Sequence, residues 1–382
     1  MQLHTLQYTA GQGFSPGLDG ALDGEQTLML AFGAPAFGDD PTPLAALASA
    51  YPRAVKLGCS TAGEIFGTQV HDASLSVAVA RFDHTRLRHA SAAVPSPKAS
   101  HLAGAALARQ LAGDDLRAVF VLSDGLRVNG TALVAGIGSV LPPTVPVTGG
   151  LAGDGSRFAR TWVLDGDAPH GGRVCAVGLY GERVRVGHGC DHGWVEFGPA
   201  RRVTRSQGHV LYELDGKPAL QLYKTYLGEL ASGLPGTALL YPLAVWRSEH
   251  DPRHLVRTVL AIDEDAQSLT FAGDIPEGSF ARLMRSTNDK LIDSAGQAGE
   301  DAANGAGAGA TGHGPLVVSV SCVGRRLLLG ERTDEELEIV QAAAHGGAHV
   351  GFYSYGEISP APGGAGGELH NQTMTVTVID EA

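Results

Sequence analysis

The sequence predicts an α/β protein of mixed β-sheets with helices on their outer faces, built from repeated strand-helix-strand-strand units in two halves. Three observations carry that expectation. Gly58 to Ile65 (GCSTAGEI) and Gly351 to Ile358 (GFYSYGEI) share one form: Gly, four residues, Gly-Glu-Ile. Short runs with β-type alternation are interleaved with runs of helical period. Glycine fills 53 of the 382 positions, which supplies many tight backbone turns.

Taken in order, TLMLAF (Thr27 to Phe32) reads as a strand, and PLAALASAYP as a short helix ending at Pro52. RAVKLGCSTAGEIFG is a strand entering a glycine-bounded turn, and DASLSVAVARF alternates as a half-buried strand does. RLRHASAAVP is a further strand. Ser100 is positioned to cap the helix HLAGAALARQL, which stops at Gly113.

A second unit opens with AVFVLSDG. Asn129 is the expected N-cap of TALVAGIGSVL, which Pro142 and Pro143 end. VPVTGG runs into LAGDG, and RVCAVGLYG returns. After the strands RVRVGHGC and RRVTRSQGHVLYEL comes a helix, PALQLYKTYLGEL. Then ALLYPLAVWR, HLVRTVLAID and SLTFAGDIP read as antiparallel strands.

A helix is expected from about 278 to 296, followed by a flexible Gly/Ala-rich loop over 295–314, because that stretch is poor in bulky residues. The third unit is PLVVSVSCVGRRLLLG, a helix with a T-x-x-E capping box from Thr333 to Glu336, HVGFYSYGEI, a Gly/Pro loop (Ala361 to Gly367) and TMTVTVID. Each unit ends its second strand in a glycine turn with an acidic residue: Glu64, Asp154 or Glu357. Ligands on such sheets bind at the carboxyl ends of the strands, where these turns lie.

Composition narrows the function. A net charge of −12 argues against nucleic acid as the main partner, which needs a basic face. Four widely spaced cysteines with no CxxC speak against a disulfide framework. The N-terminus has no basic and apolar regions of a signal peptide, and no apolar run reaches the roughly 18 to 20 residues of a membrane span. The expectation is a soluble, cytoplasmic protein.

Several side chains are candidates for chemistry. Glu64 and Glu357 suit an ammonium or amino-acid ligand in a shared cleft, or else each accepts N–H bonds within its own turn. Ser60, Thr61, Asn371 and Thr373 add hydroxyl and amide groups at matching strand ends. Tyr355 is expected beside Glu357, facing Glu64 across that cleft.

Cys59 or Ser60 in GCSTAG invites a nucleophile reading, but the spacing is not G-x-S-x-G and no base stands nearby. A cysteine there is also an ordinary small buried residue. Cys322 reads as core, and Arg325 as a group able to meet an anionic ligand. His188, Cys190 and His192 alternate along a strand and so share a face. Zinc or a haem iron suits such ligands, although the tight spacing makes joint ligation awkward. His370 is a rival axial ligand. The stretch from Gly305 lacks Gly-Lys-Ser/Thr and is not a phosphate loop.

These segments in this order resemble the FIST family of bacterial signal-transduction proteins. The N-terminal pattern is carried by GCSTAGEI, Asn129-Gly130, VTGGLAGDG with Phe158, Gly193-Trp194 to Gly198-Pro199, and ELDGKPALQLYKTYLG. The C-terminal pattern is carried by YPLAV, LVRTVLAID, AGDIPEGS, SCVGRR, GFYSYGEI and LHNQTMT. The halves are expected at 26–219 and 220–378.

The resemblance implies a non-enzymatic, stand-alone sensor of a small molecule, with amino acids as one suggestion. It also implies a separate partner, a histidine kinase or a cyclic-di-GMP enzyme. Some members, of the NosP type, are haem-binding nitric-oxide sensors, so haem is the cofactor this resemblance brings into view. A hydrolase or transferase using Cys59 or Ser60 is the rival from another class.

Overall fold

The computed structural model describes residues 1–307, 314–361 and 363–382. Helices α1 (Thr42–Ala50), α2 (Ser100–Leu111), α3 (Gly130–Gly138), α4 (Ala219–Leu227), α5 (Asn288–Ala306), α6 (Val323–Leu329) and α7 (Thr333–Ala343) accompany four sheets, so the chain is mixed α/β as expected.

Three sheets share one plan. Each has a parallel pair joined through a helical connection: Thr27–Gly33 with Val55–Ser60, Leu116–Ser123 with Val147–Leu151, and Leu316–Cys322 with Ala348–Ser354. A returning strand lies antiparallel to the first of each pair: Ser74–Arg81, Arg173–Tyr180 and Met374–Glu381. The first glycine of each turn motif is required by close approach. A Cβ on Gly58, Gly149 or Gly351 would lie 2.2, 1.9 or 2.0 Å from the facing carbonyl oxygen of Ala31, Val121 or Ser319.

Each unit then gives its hairpin away. The hairpin Glu64–Phe66/Gln69–His71 extends the third unit's sheet by pairing with Ala348–Ser354. Gly356–Ser359/Glu368–His370 extends the second unit's sheet at Val147–Leu151. Val163–Asp165/Ala168–His170 extends the first unit's sheet at Cys59. The exchanges close a ring in which the first unit's hairpin, Glu64–Phe66/Gln69–His71, and the last strand of the chain, Met374–Glu381, share a sheet. Phe32 stacks on Phe352 inside it, with centroids 4.9 Å apart.

The fourth sheet is antiparallel and eight-stranded. Its edge strands, Leu255–Arg257 and Val259–Asp263, are separated only by Thr258, so the sheet curls until its edges meet. The run HLVRTVLAID, expected as one strand, is therefore two. Val203, Leu220, Tyr223, Val245 and Phe271 fill this sheet's own core, closed by α4.

Four local expectations are corrected. Residues 280–285 form a strand, not part of a helix, because they pair on both sides with Val195–Gln207 and Leu243–Trp246. The flexible loop expected over 295–314 is helical to Ala306; residues 308–313 lie outside the described residues. Small residues are what α5 needs: Ala295, Ala298, Ala302 and Ala306 are buried against the strand Val184–Asp191. A Cβ on Gly187 or Gly189 would sit 1.9 Å from the carbonyl oxygen of Ala302 or Ala298.

The capping box at Thr333 does not form, because Glu336 turns inward to a buried arginine. Ser100 does not cap α2; its hydroxyl accepts from the Asn129 N–H (2.9 Å), while Asn129 caps α3 by accepting from Ala132 N–H (2.9 Å). Within the Gly/Pro loop from Ala361 to Gly367, Pro362 lies outside the described residues.

Candidate functional site

A cavity of about 290 Å3 opens where the ring of three units meets the curled sheet. It lies beyond the carboxyl ends of Leu116–Ser123, Val147–Leu151 and Leu316–Cys322, through Gly125, Leu151 and the segment Cys322 to Gly324. Thr258, Leu260 and the stretch Thr270 to Gly273 of the curled sheet form the opposite wall. The lining is mostly apolar, and no Asp, Glu, Lys or Arg contributes to it.

Two of the expected residues meet here. Tyr355 lines the cavity with its ring stacked on Phe158, centroids 4.6 Å apart. Its hydroxyl donates to the Asp154 carboxylate and to the Gly155 carbonyl (2.9 Å). Burial and the Asp154 charge push the phenol pKa up.

Asp154 also accepts the N–H groups of Phe158 (2.9 Å), Ala159 and Arg160 (both 2.8 Å). Burial works against its charge, yet these donors hold its carboxyl below the usual range. Asn371 lines the cavity too; it is 1% exposed, and neither Oδ1 nor Nδ2 finds a partner among the described residues. The Thr258 hydroxyl, on the facing wall, is likewise buried and unpartnered.

The acidic pair is placed elsewhere. Glu64 accepts from the Thr61 hydroxyl and from Ser74 N–H (3.0 Å) and Oγ (2.9 Å). Glu357 repeats the pattern with Ser354 Oγ (2.6 Å), Thr373 N–H (3.2 Å) and Thr373 Oγ1 (2.9 Å). Each carboxyl thus ties its own turn to the start of the returning strand, and neither lines the cavity. Burial pushes both pKa values up to about 7, against the pull of these donors.

Ser60 and Thr61 do not reach the cavity either. Ser60 Oγ accepts from Trp162 N–H (3.0 Å), and Thr61 serves Glu64. Cys59 is fully buried, which pushes its thiol pKa up.

Arg325 is fully buried and paired with Glu336, with Nη2 2.8 Å and Nε 3.1 Å from Oε2. It also donates to the carbonyls of His192 (3.0 Å) and Leu291 (2.7 Å). Glu336 accepts in addition from Ser321 Oγ (3.1 Å) and Tyr353 OH (2.7 Å). No capacity is left for an anionic ligand group. Arg325 joins α5, α6 and α7 instead.

Cys190, His192, His370 and Thr373 line a second cavity of about 280 Å3, together with His254 and Glu368; His188 stands apart from it. His192 Nδ1 accepts from Trp194 N–H (2.9 Å), so in the neutral ring its proton sits on Nε2 and leaves no lone pair for a metal. His370 Nε2 bonds Ser359 O (3.0 Å), which leaves Nδ1 as its lone pair.

Comparison of the sequence with protein families matches the FIST N domain over residues 27–217 and the FIST C domain over residues 219–360. The chain belongs to the FIST family. FIST domains are signal-transduction sensor domains. The two FIST patterns meet inside the curled sheet, which takes strands from both, and the cavity is lined from both.

Among curated proteins, the FIST chain is 28% identical over 208 residues to an uncharacterised protein of Methanocaldococcus jannaschii. That match spans 48% of this chain and 36% of the relative's length. Among the described residues, no helix is long and apolar enough to cross a membrane.

Sequence reasoning missed one cluster in the FIST chain. His89, Asp165 and Cys175, from three strands, bring their ligand atoms within 4.8 Å of one another. Asp165 is shared there with Arg173, 3.3 Å away. It also missed Thr258 and Phe271, since nothing in a strand-like run marks which residue turns a sheet corner toward a cavity.

Proposed function

We propose that the chain senses a small molecule bound in the 290 Å3 cavity and passes the signal to a separate partner. The supporting observation is that one cavity is lined by the ring of units and by the curled sheet, hence by both FIST domains. A ligand that touches both bodies discriminates between their relative arrangements, and only such unequal affinity shifts an equilibrium. A cytoplasmic histidine kinase or cyclic-di-GMP enzyme is the partner class we favour.

Thermal shift against a metabolite panel tests the reading. Leu327 lines the cavity and is 54% exposed. Leu327→Trp is expected to fill the cavity, keep the ligand-free Tm and erase every ligand shift. Shifts that survive in this variant place the ligand elsewhere.

One observation supports a second reading, haem binding with nitric oxide as the signal. His370 donates Nε2–H to a backbone carbonyl, the arrangement that orients a metal-ligating imidazole, and burial lowers its pKa to about 4 so that it stays neutral. His370 Nδ1 would hold the iron, which would supply the nitric-oxide site. A Soret band on haem titration, lost in His370→Ala, supports this reading; a flat spectrum removes it.

A further inference from the structure

The geometry points to a neutral ligand that carries a paired donor–acceptor edge, such as a lactam, imide or primary amide, read by the side chain of Asn371. This rests on the sensor reading of the same cavity and narrows its ligand class. A carboxamide buried to 1% exposure ordinarily has its hydrogen bonds made, because leaving them unmade costs free energy. Asn371 makes none among the described residues at either Oδ1 or Nδ2, and it lines the cavity.

An amide presents one acceptor and one donor side by side in a plane, and its complement is another amide-like edge. The Thr258 hydroxyl, 3% exposed and also unpartnered, supplies a further donor or acceptor from the facing wall.

The charge of the lining decides between ligand classes. A zwitterionic amino acid brings an ammonium and a carboxylate, and burying either without a partner is strongly unfavourable. The nearby carboxylates are engaged: Asp154 with Tyr355 and three N–H groups, and Asp274 with Asn129 Nδ2 (2.9 Å). The buried Arg257 guanidinium donates to the carbonyls of Val256 (3.0 Å) and Leu369 (3.2 Å) and does not line the cavity. Among the described residues, His209 is the one imidazole of the lining, and it is exposed. The apolar remainder, with Tyr355, Phe158 and Phe271, suits a flat or aliphatic ring body.

The probes are 2-pyridone, thymine and cyclo(Gly-Leu), set against leucine and benzoate, with the full chain and calorimetry as readout. At least one of the first three is expected to bind, and Asn371→Leu to weaken it at least about tenfold. Asn371→Leu is isosteric and removes two unmade hydrogen bonds, so its ligand-free Tm is expected to equal or exceed that of the parent. A folded Asn371→Leu that binds these probes as tightly as the parent overturns the inference. So does binding of leucine or benzoate with no binding of the three amides. If none of the five probes binds, the inference also falls, whereas the sensor reading falls only if the wider panel gives no shift that Leu327→Trp removes.

Discussion

The ring of Tyr355 lies on that of Phe158 with centroids 4.6 Å and planes 16° apart, which closes the cavity wall with two residues from opposite halves of the chain. Phe158 holds a φ of +49°, a left-handed conformation that costs a residue with a side chain about 1–2 kcal/mol. Asp154 is what holds it there, by accepting from Phe158 N–H and from the Tyr355 hydroxyl. Tyr355→Phe keeps the stack and removes one donor to a charged group. The expected cost is about 1.5–3 kcal/mol in denaturant melts, with faster amide exchange at residues 158–160.

The Arg325–Glu336 pair is fully buried on both sides. Glu336→Gln leaves a buried guanidinium without its counter-charge and is expected to cost about 3–5 kcal/mol. Arg325→Met with Glu336→Leu is expected to recover most of that loss, because neither charge remains to be desolvated. Urea denaturation of the parent and the two variants checks the order.

Titration opposes two pairs of buried groups. Glu64 and Glu357 keep their protons in the folded chain to about pH 7, while an unfolded glutamate gives its proton up near 4.5. The native state binds the extra protons across that window, so each glutamate removes up to about 1.4 kcal/mol of stability per pH unit as pH rises through it. His349 and His370 stay neutral in the fold down to about pH 4 but protonate near 6.5 when unfolded. Their contribution therefore rises with pH between those values. Burial lowers the pKa of His89, His188 and His192 as well, so the histidines outweigh the two glutamates and parent stability is expected to rise gently from pH 4.5 to 6.5. Glu64→Gln with Glu357→Gln should expose the histidines, with stability climbing about 2–3 kcal/mol per pH unit. A level profile in that double variant refutes the assignment.

Contact between α5 and its strand leaves no room for a methyl group. Gly187→Ala is expected to cost about 1–3 kcal/mol or more, since the added carbon meets a backbone carbonyl that cannot rotate away. Gly138, at the end of α3, has open space around its Cβ position, and Gly138→Ala is expected to be neutral or stabilising by about 0.5–1 kcal/mol. Thermal melts of the pair separate close packing from helix propensity.

Much of the element order was legible because it is local. The strands Ser74–Arg81 and Arg173–Tyr180 and the N-cap at Asn129 stand where the sequence put them, although Ser74–Arg81, expected half-buried from its alternation, is buried on both faces because sheets and helices cover both sides. The Gly/Ala run was misleading because absence of bulk reads as absence of a core, when here it is the condition for close helix–strand contact. Thr333 and Glu336 match a capping box in sequence, yet Glu336 goes to Arg325, because a buried cation outweighs one backbone N–H. The identity of the cavity wall was less legible. Tyr355 and Asn371 could be singled out from their turns, but Thr258 looked like the middle of a strand.

By itself the sequence determined the FIST family, the mixed α/β class, and the glycines and acidic residues that end each unit's second strand, since these follow from spacing and chain-local sterics. Only the tertiary structure decided what those acids do. Glu64 and Glu357 each meet hydroxyl and N–H donors of their own turn and of the returning strand's start, whereas Asp154 reaches across to Tyr355. The physical reason is the hairpin exchange: which strand a hairpin joins depends on partners far away in the chain, and that choice sets which buried polar groups are met by the protein. Among the described residues, Asn371 and the Thr258 hydroxyl are the buried groups of the cavity lining that are not.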